Sequence, residues 1–233
     1  QAKLRQHGFK RIAIDGIFGK FTYTALRAFQ ANHCDGIGNP LPVDGIVRAE
    51  TWQSLIAEAP TVNPLPSPLQ QLALRYAKQE ICVLESPVGS NKGKEVEQYQ
   101  KSVLIPPGSP WCAAFVYWCY AKAALENCTI NPLPRTAHCL THWAQSQGYR
   151  IATASFAGAS LQLVPPINIK PGSIFIINHG GGKGHTGIVA NVFDNCILTI
   201  EGNTNQNHSR EGIGVFQLTR KITDINMGFI NYG

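Results

Sequence analysis

The stretch "SPWCAAFVYWCYAKAAL", residues 109–125, decides the fold of the larger part of this chain. After its first two residues nearly every position is apolar or aromatic, with Lys122 as the exception. A helix of that composition is buried on nearly all sides, so the stretch predicts the central helix of a domain. Ser109 is suited to the N-cap and Pro110 to the first helical position, which places Cys112 in the first turn.

The predicted position of Cys112 favours its thiolate, because free amides and the positive end of the helix dipole lie there. The dipole contributes at most about 2 kcal/mol, roughly 1.5 pKa units, which brings a thiol from about 8.5 to about 7. A well-populated thiolate therefore needs a cation as well, most simply a histidine. Cys119 lies two turns deeper and is interpreted as a packing residue, which is also the alternative interpretation of Cys112.

The segments on either side of this helix differ in their period. Residues 69–77 carry apolar side chains spaced as on one face of a helix, and a polar, glycine-containing loop follows at 85–99. A further helix is predicted around 136–149. After it come short, β-branched runs at 173–178, 186–193, 196–202 and 214–222. Helices followed by antiparallel strands indicate an α+β domain.

A histidine on these strands is the candidate partner of the thiol. His185 follows a glycine-rich loop at the predicted start of a strand, where functional side chains are common. His179, at the end of the preceding strand, is the alternative. Glu201 and Asn203, on the next strand, are the candidates that would orient the imidazole.

The pairing of the two strands decides whether these side chains meet. A two-residue turn would place His185 opposite Thr204 and direct Glu201 and Asn203 to the other face of the sheet. A three-residue loop, 193–195, would instead place His185 opposite Asn203, with Glu201 diagonal to it. We therefore predict an odd-length loop or a bulge in this hairpin.

A proline-rich segment, residues 59–68, predicts a semi-rigid linker between two units. The short unit comprises residues 1–58 and the longer one residues 69–233. The chain opens with "QAKLRQHGF", which is typical of the middle of a helix and favours a segment preceding residue 1.

The short unit contains an internal repeat. "DGIFGKFTYTAL", from Asp15, returns as "DGIVRAETWQSL", from Asp44, at an offset of 29 residues. Each copy is an Asp-Gly turn, completed by Gly16 or Gly45, that leads into an amphipathic helix. Together with a leading helix, the copies predict a small three-helix domain.

Composition limits the partners and the compartment. The net charge of +6 favours an anionic partner, or no specific one, and without a Lys/Arg cluster it does not indicate nucleic acid. Seven cysteines leave two arrangements open, three disulfides and one thiol in an exported protein or seven thiols in a reducing compartment. No C-x-x-C spacing indicates a zinc ribbon, and no apolar run of about 18 residues predicts a membrane span.

Both units resemble known families. The short one is similar to three-helix peptidoglycan-binding domains, whose repeats read D-G-x-x-G-x-x-T, and its second copy departs from that pattern at Arg48. Essentially the whole longer unit resembles a CHAP domain, a papain-like amidohydrolase/peptidase that depends on cysteine and histidine. The matching pieces are "LESPVGSNKGKEVEQY", "PWCAAFVYWC", "GHTGIV" and "EGNTN".

The CHAP resemblance implies a papain-like α+β fold with helices packed on an antiparallel sheet. It also implies roles for four residues. Cys112 would be the nucleophile, with its backbone N–H as an oxyanion donor. His185 would be general base and then acid, Glu201 would fix and charge the imidazolium, and Asn203 would assist.

Further binding residues are predicted only from their position near the expected cleft or in the turns of the repeat. Four residues near the expected cleft are candidate substrate contacts, with core or loop positions as the alternative: Trp111, Glu85, Asn91 and Tyr99. Four residues of the short unit are turn-formers first and candidate wall contacts second: Asp15, Gly16, Asp44 and Gly45. The loop before the nucleophile lacks the clustered aspartates of calcium-binding relatives, so no metal or other cofactor is expected.

Together the resemblances imply a peptidoglycan hydrolase, either an N-acetylmuramoyl-L-alanine amidase or an endopeptidase of the wall peptide. Such a protein is expected to be secreted or located at the cell envelope, as an autolysin, a phage lysin or an exported effector. Its partner would be peptidoglycan, with no nucleic acid and no membrane span. The alternatives are a wall-binding protein without activity and a cysteine protease toxin that acts on protein.

Overall fold

The computed structural model describes residues 1–7, 9, 12–31, 33–35, 39–56, 66–153, 169–193, 196–205 and 212–233. Most of the predicted linker lies outside these ranges, and its last residue, Pro68, already belongs to a helix. No helix among the described residues is long and apolar enough to cross a membrane.

The N-terminal unit has the three predicted helices, α1 (Ala2–Gln6), α2 (Lys20–Ala31) and α3 (Ala49–Ile56). They enclose one apolar core. Its members are Leu4, Ile12, Ala25, Leu26, Phe29, Leu41 and Leu55.

The two Asp-Gly turns of this unit are held in the same way by glutamine side chains. Gln1 Oε1 accepts a hydrogen bond from the backbone N–H of Gly16 at 2.9 Å, and Gln30 Oε1 accepts one from Gly45 at 2.7 Å. The aspartate before each glycine closes an Asx turn, and the glycines have φ angles of 76° and 75°. The repeat therefore extends back to the glutamines, which have the same offset, a signal that the sequence analysis missed.

Four helices form one layer of the larger unit, with bounds at α4 (Pro68–Gln79), α5 (Lys94–Ser102), α6 (Cys112–Glu126) and α7 (Cys139–Gln145). The central helix is confirmed, because α6 is buried along almost its whole length. The prediction of a loop over 85–99 was wrong in its second half, where α5 lies. Val96 and Tyr99 bury one face of α5, but its many charged residues hid that pattern.

The start of α6 also differs from the prediction. Trp111 is the N-cap residue and makes no side-chain capping bond, so Cys112 is the first helical residue. Ser109 is not the cap, because its hydroxyl donates to the carbonyl oxygen of Pro106 at 2.8 Å within the preceding turn. The predicted place of Cys112 in the first turn is confirmed.

One six-stranded antiparallel sheet forms the other layer. Its strands are β1 (Tyr149–Ala152), β2 (Ile174–Gly180), β3 (Lys183–Phe193), β4 (Cys196–Thr204), β5 (Gly214–Lys221) and β6 (Gly228–Asn231). Their order across the sheet is β1-β6-β2-β3-β4-β5. The four predicted strands are confirmed, whereas β1 and β6, of four residues each, were missed because so short a run carries little periodic signal.

The hairpin of β3 and β4 contains the predicted irregularity. Phe193 pairs with Cys196, and the intervening residues 194 and 195 lie outside the described ones. The register then shifts by one residue between Val189 and Asn191, so that Ala190 forms a bulge. Because a one-residue shift exchanges the faces of a strand, the bulge returns His185 and Glu201 to the same face.

A disulfide joins the two units. It connects Cys34, after α2, with Cys196, the first residue of β4, and His33 stacks on Phe193 nearby with a centroid distance of 5.4 Å. Neither predicted cysteine arrangement is correct, since the described residues contain this one disulfide alongside thiols. Cys82 and Cys128 are exposed, and three other cysteines are buried, namely Cys112, Cys119 and Cys139.

Candidate active site

The Cys112 thiol opens into a cleft at the edge between the helical layer and the sheet. Its side chain is 6% exposed, and the cleft has a volume of about 460 Å³. The walls come from the start of α6, the segment before α7 and the turn between β2 and β3. The lining residues are Ile105, Ser109, Pro110, Cys112, Thr136, Ala137, His138, Cys139, Gly182, Lys183 and Gly184.

His185 and Glu201 form a buried pair beside this thiol. His185 Nε2 lies 2.8 Å from Glu201 Oε2. His185 Nδ1 makes no hydrogen bond to any described residue, which leaves it available to the thiol and to a substrate. The alternative histidine, His179, is exposed near the end of β2.

Arg220 holds the Glu201 carboxylate from the opposite side. Its Nε donates to Oε1 at 2.6 Å and its second guanidinium nitrogen donates to Oε2 at 2.7 Å. Thr199 Oγ1 also donates to Oε1, at 2.6 Å. The carboxylate is thus completely buried yet accepts hydrogen bonds on both oxygens, which fixes the oxygen that faces His185.

These contacts set the protonation states of the site. Burial acts to raise the pKa of Glu201, but Arg220 and His185 outweigh it and lower this pKa to about 2. Burial acts to lower the pKa of His185, but Cys112 and Glu201 outweigh it and raise this pKa to about 9. Near neutral pH the imidazole is therefore protonated and the carboxylate ionised.

The pKa of Cys112 is shifted in the opposite sense. A hydrogen bond with Cys139 lowers it most, burial acts against that change, and His185 lowers it further, so the result lies well below the ordinary value. The sulfurs of Cys112 and Cys139 are 3.6 Å apart. The helix start and the nearby histidine both favour the thiolate of Cys112, which would pair with the imidazolium of His185.

Asn203 is the fourth predicted catalytic residue. It follows Glu201 in an irregular stretch of β4 with φ at 55°, and it is buried. Its Oδ1 makes no hydrogen bond to any described residue, so no described contact of this atom supports the expected assistance to the imidazole. Gly202, between them, allows β4 to approach α6, because a Cβ there would lie 2.6 Å from the Trp111 ring.

The predicted substrate contacts upstream make hydrogen bonds within the chain. Trp111 is buried, and its Nε1 donates to Glu85 Oε1 at 2.9 Å. The other carboxylate oxygen of Glu85 accepts from the backbone N–H of Asn91 at 3.0 Å, and Tyr99 donates its hydroxyl proton to Glu80. None of the four lies among the residues that line the cleft, and their role as substrate contacts stays a prediction. Glu85 joins Trp111 to the loop before α5, and Tyr99 joins α5 to the end of α4.

Sequence reasoning missed several residues of the site. Arg220 is an ionic residue on a strand next to Glu201, a pairing that only the sheet order reveals. His138 caps α7 by accepting from the N–H of Thr141, and its Nε2 then donates to the Gly182 carbonyl oxygen at 2.7 Å across the cleft. No described group of three or more His, Cys, Asp or Glu side chains is suited to a metal ion.

Comparison with known proteins assigns families to both units. Residues 105–203 match the family model described as "CHAP domain", and residues 1–55 match the model described as "Putative peptidoglycan binding domain". The CHAP match includes Cys112, His185 and Glu201 but not Arg220. It does not extend to the whole of residues 69–233, so the outer bounds of that unit stay a prediction.

Two curated relatives are similar to a shorter stretch. Both are described as a spore cortex-lytic enzyme, one from Bacillus cereus strain ATCC 14579 and one from Bacillus cereus, and each is 43% identical over 56 residues. The stretch is 24% of this chain and 19% of each relative, so the chain spans about a fifth of the curated relatives it matches. No solved structure matches the chain significantly. The chain therefore carries a peptidoglycan-binding domain, matched over residues 1–55, and a CHAP domain, matched over residues 105–203.

Proposed function

We propose that this chain is a peptidoglycan hydrolase that cuts amide bonds of the wall peptide by cysteine catalysis. The observation that carries the proposal is the Cys112 thiol at the start of α6, beside His185, whose Nε2 lies 2.8 Å from Glu201. Thiolate, imidazolium and carboxylate in this order are the groups that acyl transfer through a thioester requires. Their place within the CHAP match supports the same chemistry.

In the first half of the reaction the Cys112 thiolate attacks the carbonyl carbon of the scissile amide. The negative charge that develops on the carbonyl oxygen is expected to meet the backbone N–H of Cys112 at the start of α6. His185 then gives its proton to the leaving nitrogen, the C–N bond breaks, and an amine departs. A thioester to Cys112 remains.

In the second half a water molecule hydrolyses the thioester. His185, now neutral, takes a proton from the water as its oxygen attacks the thioester carbon. The C–S bond breaks, the carboxylic acid leaves, and the thiolate and imidazolium are restored. Glu201 stays ionised throughout, because Arg220 and Thr199 bind it independently of the proton on His185.

The charge of the cleft favours a substrate peptide that carries carboxylates. Lys183 lines it, and none of its lining residues is acidic. A positively charged wall attracts the free carboxylates of a peptide stem and would repel a strongly basic peptide. The name of the curated relatives, spore cortex-lytic enzyme, supports a lytic role in general terms.

The N-terminal unit supports a wall substrate over a soluble protein. It contains a cavity of about 340 Å³ lined by residues from α1, α2 and α3. Phe18 and Trp52, at its rim, are 56% and 52% exposed, an arrangement that suits stacking against a sugar or a peptide. We infer that this cavity holds peptidoglycan. Of the four predicted turn residues only Gly16 lines it.

Digestion of a purified peptidoglycan of known structure tests the proposal and identifies the bond. An amidase releases peptides that begin with L-alanine and leaves bare glycan, whereas an endopeptidase releases muropeptides that have lost part of a stem or cross-bridge. Mass spectrometry of the released fragments separates the two. If the chain cleaved casein and left peptidoglycan intact, it would instead be a protease acting on protein.

The Cys34–Cys196 disulfide supports export to an oxidising compartment.

A further inference from the structure

Cys139 lies next to the nucleophilic sulfur. Its Sγ is 3.6 Å from Cys112 Sγ, well beyond the roughly 2.05 Å of a disulfide but within hydrogen-bond distance. The two side chains are 6% and 4% exposed, and both line the cleft. Neither family resemblance assigns a role to Cys139.

The fold keeps Cys139 in this place. A Cβ on Gly184 would lie 3.1 Å from Cys139 Cβ, so the missing side chain there lets the start of α7 approach β3 beside His185. His138, the residue before Cys139, donates a hydrogen bond to the carbonyl oxygen of Gly182 at 2.7 Å. This bond joins the start of α7 to the turn that leads into β3. The second thiol is thus held against the catalytic strand by two separate contacts.

We propose that Cys112 and Cys139 form a reversible disulfide that switches the nucleophile off and protects it from irreversible oxidation. These two cysteines are the cleft pair. The inference rests on the proposed function in taking Cys112 as the nucleophile. The bond itself is measured without any substrate.

The chemistry requires a peroxide as oxidant. The Cys112 thiolate attacks one peroxide oxygen, the O–O bond breaks, hydroxide leaves, and Cys112 becomes a sulfenic acid. The Cys139 thiolate then attacks the sulfenic sulfur, the S–O bond breaks, and a second hydroxide leaves as the S–S bond forms. The two thiols lose two electrons and two protons, and hydrogen peroxide becomes two water molecules. A dithiol reverses the bond by thiol–disulfide exchange.

A mild reductant is expected to act on the cleft pair and to spare the Cys34–Cys196 disulfide. Cys34 and Cys196 are 1% and 0% exposed, whereas the cleft pair lines the cleft. Access controls the rate of thiol–disulfide exchange, so a mild dithiol is expected to reduce the cleft pair first. The chain then regains its nucleophile while its two units stay covalently joined.

The test exposes the full chain to hydrogen peroxide, with the exposed Cys82 and Cys128 changed to serine to remove competing thiols. After alkylation and digestion, mass spectrometry is expected to find the Cys112 peptide linked to the Cys139 peptide. Activity on peptidoglycan is expected to fall at least tenfold and to return on addition of dithiothreitol. No linked peptide, with Cys112 oxidised to sulfinic acid, would overturn the inference.

Two variants sharpen the test. In Cys139→Ser the same peroxide treatment is expected to give sulfinic or sulfonic acid at Cys112, with activity that dithiothreitol does not restore. Cys119→Ala, at a buried cysteine of the same helix, is expected to behave as the parent does. Full recovery of Cys139→Ser would contradict the role of Cys139. A cleft-pair disulfide in a chain that cuts no peptidoglycan would support the disulfide and contradict the proposed function alone.

Discussion

Gly187 leaves the space through which the Glu201 side chain reaches His185. A Cβ at Gly187 would lie 2.7 Å from Glu201 Cγ, closer than atoms in contact allow, and 2.8 Å from the Phe175 ring. The bulge at Ala190 brings the glycine and the glutamate into this relation. A backbone position on β3 therefore controls the geometry of the acid on β4.

Gly187→Ala is accordingly expected to displace Glu201. Overpacking of this kind costs about 1–3 kcal/mol of stability, and a shift of about 1 Å in a catalytic group lowers kcat by about a hundredfold. Peptidoglycan digestion and urea unfolding measure the two effects. Gly19→Ala is the matched control, because a Cβ there meets no atom within 4 Å. An unchanged kcat in Gly187→Ala would show that Glu201 needs no such space.

The pH dependence of the reaction is expected to be bell-shaped. His185 must carry a proton for the leaving amine, and its pKa of about 9 means that this proton is present below that pH and lost above it. Cys139 and His185 lower the pKa of Cys112 from its ordinary value, so the acid limb should lie below the pH at which a free thiol ionises. The profile of kcat/KM on a soluble muropeptide should therefore fall on the alkaline side near pH 9. A fall near pH 6.5, the ordinary value for histidine, would contradict the ion pair.

Arg220 is expected to act as a positioning residue through Glu201. Arg220→Met removes one of the two cationic groups that contact the buried Glu201 carboxylate, at a cost of about 3–5 kcal/mol in the free energy of unfolding. Loss of that positive charge also raises the pKa of His185, so the alkaline limb of the profile should move to higher pH. Arg220→Lys keeps the charge but not the bidentate contact. It should return the alkaline limb to its original pH and recover only part of the free energy of unfolding. If Arg220→Met lost stability but its alkaline limb did not move, Arg220 would have only a structural role.

Trp52 is expected to bind the wall without taking part in cleavage. Trp52→Ala removes an aromatic ring from the rim of the N-terminal cavity and should weaken sedimentation with insoluble peptidoglycan. Turnover of a soluble muropeptide should stay the same. Phe21→Ala, an aromatic residue of the same unit that is 75% exposed and outside the cavity lining, is the control. Equal loss of binding in both variants would point to general surface hydrophobicity.

Much of the fold was predictable because its signals are local. The apolar run of α6, the β-branched strands and the Asp-Gly turns each express a period or a turn chemistry within a short window. The bulge was also predictable, because His185 and Glu201 lie on the same face of the sheet only if the hairpin has an odd-length loop or a bulge. The helix α5 was not predicted, because charged residues cover its exposed face and mask the apolar one.

The contacts within the site were less accessible from sequence. Arg220 meets Glu201 only because β5 is the neighbour of β4, and Cys139 meets Cys112 only because α7 lies against β3. Such pairings depend on the order of elements in space, which no spacing along the chain encodes. Trp111 shows the same limit, since it neighbours the nucleophile in sequence but points into the core, where it binds Glu85.

The central claim is that Cys112 attacks the amide carbonyl. Its most direct test measures the amino groups released from purified peptidoglycan by the parent chain, by Cys112→Ala and by Cys119→Ala, each kept reduced by a mild dithiol and shown to be folded. We predict release by the parent and by Cys119→Ala, and a loss of at least a thousandfold in Cys112→Ala, because the residual rate without a nucleophile is only that of binding and oxyanion stabilisation. Release by Cys112→Ala at a rate comparable to the parent would contradict the account.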